Sequence, residues 1–189
     1  MNESNNQLPE LLNLDQELEW IRKAKINPKD FGPLYQLHFE AIFRFVYHRL
    51  NEKQTAKDIT QQVFVKALVN LKNFQFKGYS IKTWLFKIAV NELNDFYGKV
   101  QSDRYLNIDT VSLSEILLEI GENDEVEKDE TLFKVLNKLK EDQLILIEMR
   151  YFEKRSFAEI GAILSITENN AKVKLYRVID FMKQLMKHN

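Results

Sequence analysis

Apolar residues recur three and four positions apart through most of the chain, the spacing that lines one face of an α-helix. Leu14, Leu18 and Ile21 predict a helix over about 14–25, and Leu34, Leu37, Phe39, Ile42, Phe43, Val46 and Leu50 a second over about 31–50, with Asn27-Pro28 as the break between them. A third helix, over about 53–71, stacks Ala56, Ile59, Val63, Ala67 and Leu71 on a core face. The opposite side carries Asp58, Gln61, Gln62, Val65 and Val69, a polar stripe interrupted by two valines. Such a stripe suits docking against another protein, and it equally fits ordinary surface, where single exposed valines are common. A fourth helix, over about 81–97, is expected to bury Ile81, Leu85, Ile88, Ala89 and Phe96 and to turn Thr83, Lys87, Asn91 and Asn94 outward.

Between the third and fourth helices, Phe74, Phe76 and Tyr79 alternate with Lys72, Lys77 and Lys82 around Gly78. Aromatic rings can stack on unpaired bases while lysines hold the phosphates, or the rings can simply cap the helical core. Beyond residue 130, LFKVLNKLK and DQLILIEMRYF predict two helices with a break near 140–142. Ser156 and Glu159 then form a capping-box pattern ahead of Phe157, Ile160, Ile163 and Leu164. Ser165-Ile166 reads as a short turn and Thr167 as the N-cap of a last helix, whose inner side carries Ala171, Leu175, Val178, Ile179, Met182 and Met186. Two helices joined by about three residues make a helix-turn-helix. Its outward side mixes Asn169, Val173, Tyr176 and Arg177 with Asn170 and Lys172, side chains able to pair with bases and phosphates in a major groove.

Composition narrows the classes. The 189 residues suit one medium or two small helical domains, and five Gly and three Pro argue against turn-rich β folds and glycine-rich phosphate loops. The absence of Cys excludes disulfide frameworks, thiol catalysis and thiolate metal sites, and with only His38, His48 and His188 as imidazoles it disfavours most metalloenzyme and nucleophilic-triad readings; no metal and no cofactor is expected. No apolar run is long enough to span a bilayer and MNESNNQLPE lacks a leader pattern, so no membrane insertion and a cytoplasmic protein are expected. Charge divides unevenly: residues 31–100 hold ten basic and five acidic residues, 101–130 two and ten, and 131–189 eleven and seven. Two basic modules, of the kind that attract polyanions, flank an acidic segment expected to be a flexible linker with a helical turn or two near Ile116 to Ile120.

Taken in order, AKDITQQVFVKAL (56–68), SIKTWLFKIAVNELNDF (80–96) and FAEIGAILSITENNAKVKLYRV (157–178) resemble the extracytoplasmic-function (ECF) group of bacterial RNA polymerase sigma factors, of sigma-70 type. The resemblance implies an all-α chain: an N-terminal tail over 1–13, a region 2 domain over 14–100, an acidic linker over 101–128 and a region 4 helix-turn-helix domain over 129–189. It implies a non-enzymatic initiation factor that binds core RNA polymerase through its clamp helices and flap, and promoter DNA both as duplex and as melted non-template strand. An anti-sigma factor is a further candidate partner. Asp58, Gln61, Gln62, Phe64, Val65 and Lys66 would dock on the polymerase. Phe74, Phe76, Lys77, Tyr79, Lys82, Trp84, Lys87 and Asn91 would melt the -10 element and capture an everted base. Asn169, Asn170, Lys172, Val173, Lys174, Tyr176 and Arg177 would read the -35 element.

Three positions depart from the family pattern. Ser165 stands where the turn usually carries Gly, and Gly161 stands in the first helix where Ala is usual, a change that costs about 1 kcal/mol by helix propensity alone. Gly98-Lys99 replaces a denser arginine cluster. Two other functions compete. An autonomous repressor or activator would bind duplex tightly without polymerase and leaves Phe74, Phe76 and Tyr79 without a role. A metal-dependent nuclease or phosphohydrolase would use Glu92 and Asp95, although two carboxylates at i, i+3 are usually surface charges.

Overall fold

The computed structural model describes residues 7–50, 52–99, 110–121 and 126–187. Among the described residues every regular element is helical. They divide into two compact units, one of residues 7–47 and 52–99, the other of residues 110–187 together with 48–50.

The first unit contains α1 (Gln7–Ile26), α2 (Gly32–His48), α3 (Lys53–Asn70) and α4 (Ile81–Lys99), with single 3₁₀ turns at Pro28–Phe31 and Leu71–Asn73. α1 begins before Leu14, so part of the expected tail is helical. The break after α1 forms because Asn27, in extended conformation, accepts Lys29 N–H on its side chain and Pro28 lacks an N–H to continue the helix. α3 buries the expected Ala56, Ile59, Val63 and Ala67 and packs on α4, with Leu71 closing the face. On α2 the pattern errs at Leu37, which is exposed, while Phe45 fills the core, edge to face with Phe86. On α4, Phe86, Val90 and Leu93 are buried, Ile88 and Phe96 only partly, and Thr83 is buried rather than outward. Six buried apolar side chains of α4, Ile81, Leu85, Phe86, Ala89, Val90 and Leu93, therefore cover more of the helix than one narrow stripe, and Thr83 falls at the edge of that arc, beside Val90.

The second unit contains α5 (Thr110–Ile120), α6 (Val126–Lys138), α7 (Glu141–Ile147), α8 (Phe157–Leu164) and α9 (Glu168–Lys187), with a π turn over Glu148–Phe152. The helical turn or two expected near Ile116 to Ile120 is part of α5, which starts six residues earlier, at Thr110. It is an 11-residue helix that buries Leu113, Ile116, Leu117 and Ile120 and packs on α6 and α9. Those four positions follow helical spacing, and their burial outweighs the acidic character that suggested disorder. Residues 101–109 and 122–125 of that stretch lie outside the described residues. α6, α7 and α8 pack on α9, whose Ala171, Leu175, Val178, Ile179 and Met182 are buried while Met186 is half-buried.

Candidate nucleic-acid and protein-docking surfaces

The outer side of α3 is as polar and as open as its spacing implies. Asp58, Gln61 and Gln62 are exposed, and Val65 and Val69 stand 61% and 74% exposed among them. Gln54 Nε2 donates to Asp58 Oδ1 at 3.1 Å, one turn along the helix. Beside the stripe runs an apolar groove of about 470 Å³ lined by Phe31, Tyr35, Gln61, Phe64, Val65 and Leu68. Phe64 does not belong to the exposed set. It is 3% exposed, its ring edge-on to Tyr35 at 4.8 Å and close to Phe31 and Phe39. The aromatic rings of α2 reach across to a position intermediate between the two faces of α3, so Phe64 supports the stripe from beneath. Lys66 is exposed but turned toward α4, where it pairs with Glu92, which holds its ammonium pKa above the usual range.

The segment from Phe74 to Ser80 divides its aromatics. Phe74 is 9% exposed, its ring packed on Trp84 at 5.1 Å, so it caps the core. Phe76 is 44% exposed at the tip, beside exposed Lys77 and half-buried Tyr79. Gly78 takes φ +84°, a left-handed conformation that favours glycine and bends the tip outward. Lys82, Trp84 and Lys87 are half-buried and Asn91 is exposed. Where α3 meets α4, an open cleft of about 750 Å³ is lined by Lys66, Asn70, Asn73, Trp84, Ile88, Asn91 and Asn94 together with the carboxylates Glu92 and Asp95. Amides carry both donors and acceptors, and the indole offers a stacking face, a lining that matches the edge and the plane of a nucleobase. Asn70 was not singled out by the sequence; its signal is the i, i+4, i+7 run from Lys66 through Asn70, the last residue of α3, to Asn73 in the 3₁₀ turn that follows. Among the described residues no group of three or more His, Cys, Asp or Glu could hold a metal ion, and Glu92 is already engaged by Lys66.

Both ends of this segment are tied to α1. Lys25 Nζ donates to the Phe74 carbonyl at 2.6 Å and lies 5.9 Å from the ring centroid. At the other end the buried Glu17 carboxylate accepts Ser80 Oγ–H at 2.8 Å and the Ile81 N–H at 2.9 Å, with His38 Nε2 at 2.8 Å. Burial alone would raise the Glu17 pKa, but the hydrogen bonds from His38, Ser80 and Ile81 outweigh it and hold the carboxyl below its usual range. An ionised carboxylate only accepts, so Nε2 of His38 carries the proton.

In the second unit the capping box forms as expected: Glu159 N–H donates to Ser156 Oγ at 3.2 Å, and Ser156 N–H to Glu159 Oε2 at 3.0 Å. Ser165 ends α8 at φ 59° and ψ 39°, and the Ile166 N–H reaches back to the Gly161 carbonyl at 2.9 Å. Thr167 Oγ1 accepts the Asn170 N–H at 3.2 Å and starts α9. Asn169, Asn170, Lys172, Val173, Lys174, Tyr176 and Arg177 are all exposed on α9. The Tyr176 ring lies 6.3 Å from that of Phe157, whose face is covered by the Arg150 guanidinium at 4.8 Å. α8 and the π turn thus steady an aromatic ring on the exposed face, a support the sequence did not reveal because Arg150 and Tyr176 lie on different elements.

Comparison with known proteins agrees with this geometry. Residues 34–102 match the Sigma-70 region 2 family and residues 129–182 the Sigma-70 region 4 family. The chain is 30% identical over 159 residues to the RNA polymerase sigma factor YlaC of Bacillus subtilis, covering 82% of this chain and 91% of YlaC. It is 27% identical over 168 residues to the ECF RNA polymerase sigma factor SigW of the same organism, covering 83% and 89%. Against the ECF RNA polymerase sigma factor BldN of Streptomyces coelicolor it is 26% identical over 179 residues, covering 89% of this chain but only 65% of BldN. Among solved structures, CnrH in complex with the cytosolic domain of CnrY aligns with TM-score 0.61 at 19% identity over 90% of this chain and 96% of that one. RpoE of Bartonella quintana, in complex with the anti-sigma factor NepR, aligns with TM-score 0.57 at 22% identity over 84% and 98%.

Proposed function

The chain belongs to the sigma-70 family of RNA polymerase sigma factors, in the ECF group, and from that premise we propose how its residues divide the work. As a sigma factor it binds core RNA polymerase, directs it to promoter DNA and makes or breaks no covalent bond itself. We assign residues 14–100 to polymerase docking and the -10 element, and residues 129–189 to the -35 element.

Asp58, Gln61, Gln62, Val65 and Val69 form the face that meets the clamp helices: the valines supply apolar area and the amides and the carboxylate fix register, while Lys66 lies on the flank turned toward α4. Phe64 takes part only by supporting that face. The exposure of Val65 and Val69 among amides carries this assignment, because packing among the described residues of the first unit leaves them 61% and 74% open. Phe76 and Tyr79 stack on the melted non-template strand, Lys77, Lys82 and Lys87 hold its phosphates, and the cleft beside Trp84 and Asn91 takes the everted base. Eversion costs a few kcal/mol, and stacking at about 1–3 kcal/mol per base offsets it. Phe74 contributes from within the core. The exposed side of α9 enters the major groove at the -35 element, where Asn and Arg can make bidentate contacts to bases and Lys to phosphate. The proposed setting is the cytoplasm, where polymerase is, and an anti-sigma factor is a proposed further partner; among the described residues no helix is long and apolar enough to cross a membrane.

The test is capture of purified core polymerase followed by run-off transcription on genomic fragments, repeated with Gln61→Ala plus Val65→Asp. Specific transcripts that vanish in the double variant establish the docking face. Tight duplex binding with no affinity for core polymerase overturns the assignment in favour of an autonomous regulator.

A further inference from the structure

The segment that carries Phe76 and Tyr79 is short, and both of its ends are tied to α1, no described residue of which lines the cleft or the groove. Glu17 and Lys25 lie eight residues apart on α1, about 12 Å along its axis. Lys25 holds the carbonyl of Phe74, the first residue of the segment, and Glu17 holds the hydroxyl of Ser80, the last. Glu17 also accepts the N–H of Ile81, the first residue of α4, one of the donors that a helix start leaves without an intrahelical partner. A carboxylate there complements the helix dipole as well. His38, from α2, completes the arrangement by donating to Glu17 Oε1, the same oxygen that accepts the Ser80 hydroxyl.

We propose that α1 is a clasp for the strand-opening segment, with Glu17 and Lys25 as positioning residues that set the span across which Phe76 and Tyr79 are presented. The proposal rests on the assignment of that segment to the melted strand made above. Neither residue is required to touch DNA. Lys25 grips a backbone atom, so its effect passes through the path of the chain rather than through a side chain that reads a base. Five residues, 75–79, lie between the tied ends, and left-handed Gly78 directs their turn. Releasing either end gives this tip more conformations to lose when it meets unpaired bases, which weakens strand capture while leaving α3 and its docking stripe in place.

The full-length chain is assembled with core polymerase on a promoter fragment recovered by run-off transcription. Strand opening is read as permanganate reactivity of unpaired thymines, and core capture and thermal stability are measured in parallel. Glu17→Gln and Lys25→Met are expected to reduce opening of duplex promoter by about tenfold, the equivalent of one charge-assisted hydrogen bond, with core capture unchanged. Lys25→Arg, which keeps a donor, is expected to restore opening, and a premelted template to restore transcription in both variants. Lys25 is half-buried and bonds to backbone, so Lys25→Met decides the matter if Glu17→Gln does not fold. Undiminished opening in a folded Lys25→Met protein overturns the clasp. Undiminished opening in Phe76→Ala plus Tyr79→Ala instead overturns the assignment of the segment, and the clasp falls with it.

Discussion

Replacing Gly161 with alanine sets two physical effects against each other, and the structure decides which is larger. In an unconstrained helix the change is favourable by about 1 kcal/mol. In α8 it is not, because a Cβ on Gly161 would lie 2.8 Å from the Ile166 carbonyl oxygen, 3.2 Å from Glu168 N and 3.3 Å from the Thr167 carbonyl carbon. All three are backbone atoms of the turn and of the first residue of α9, so none can swing aside as a side chain would. Moving the oxygen from 2.8 Å to ordinary contact at 3.4 Å shifts the turn by about 0.6 Å. That shift pulls on the Ile166 N–H bond to Gly161 and on the start of α9, where Asn169 and Asn170 stand. Overpacking costs about 1–3 kcal/mol, and contact with unyielding backbone places this case in the upper part of that range, about 2–3 kcal/mol, so after the gain of about 1 kcal/mol in propensity Gly161→Ala is expected to destabilise the unit by about 1–2 kcal/mol. Calorimetric unfolding would register a Tm lower by roughly 5–10 °C, with faster amide exchange in α8 and α9. Gly98→Ala is the control: that position is exposed with nothing within 4 Å, so stability holds or rises. A Gly161→Ala protein as stable as the parent, or more so, would refute the steric argument and leave propensity in command.

Ser165→Gly, at the left-handed end of α8, relieves the Cβ of an unfavourable conformation and is expected to stabilise the unit by about 1 kcal/mol, seen as a higher denaturant midpoint at unchanged m-value. Glu159 offers a pH test. Burial raises its pKa, but the Ser156 N–H, the Arg155 charge and the Ser156 hydroxyl outweigh this and hold it below the ordinary value of 4.5. Its contribution is therefore complete above 4.5 and is lost as pH falls through the depressed value; Glu159→Gln should flatten that acid limb in Tm measured from about pH 6 to about pH 3.

Helical periodicity made much of this structure legible from sequence. The two faces of α3, the capping box at Ser156 and the inner face of α9 follow from local spacing and local hydrogen bonds, which neighbouring residues determine. What escaped was set by residues distant in the chain. Phe64 follows the family's docking motif in sequence, yet rings from α2 enclose it. Phe74 was grouped with Phe76 by alternation, and only Trp84 and Lys25 distinguish them. Glu17 and His38 gave no signal, being separated from each other by 21 positions and Glu17 from Ser80 by 63. α5 was obscured by composition: its carboxylates suggested a solvated linker, while four apolar residues at helical spacing carried the outcome. Gly161 appeared as a weak point in a helix because propensity takes no account of the turn folded against it.

α3 bears Gln61 and Val65 on one flank and Lys66 and Asn70 on the flank that walls the cleft, and its sequence contains neither Gly nor Pro. From Gln61 to Asn70 is nine residues, about 13.5 Å of stiff rod. Under the proposed assignments, the docking face and the pocket for the everted base are therefore two marks on one ruler. On that reading, polymerase holding the first mark fixes the distance to the second, and the helix itself measures how far from the docking face the strands part.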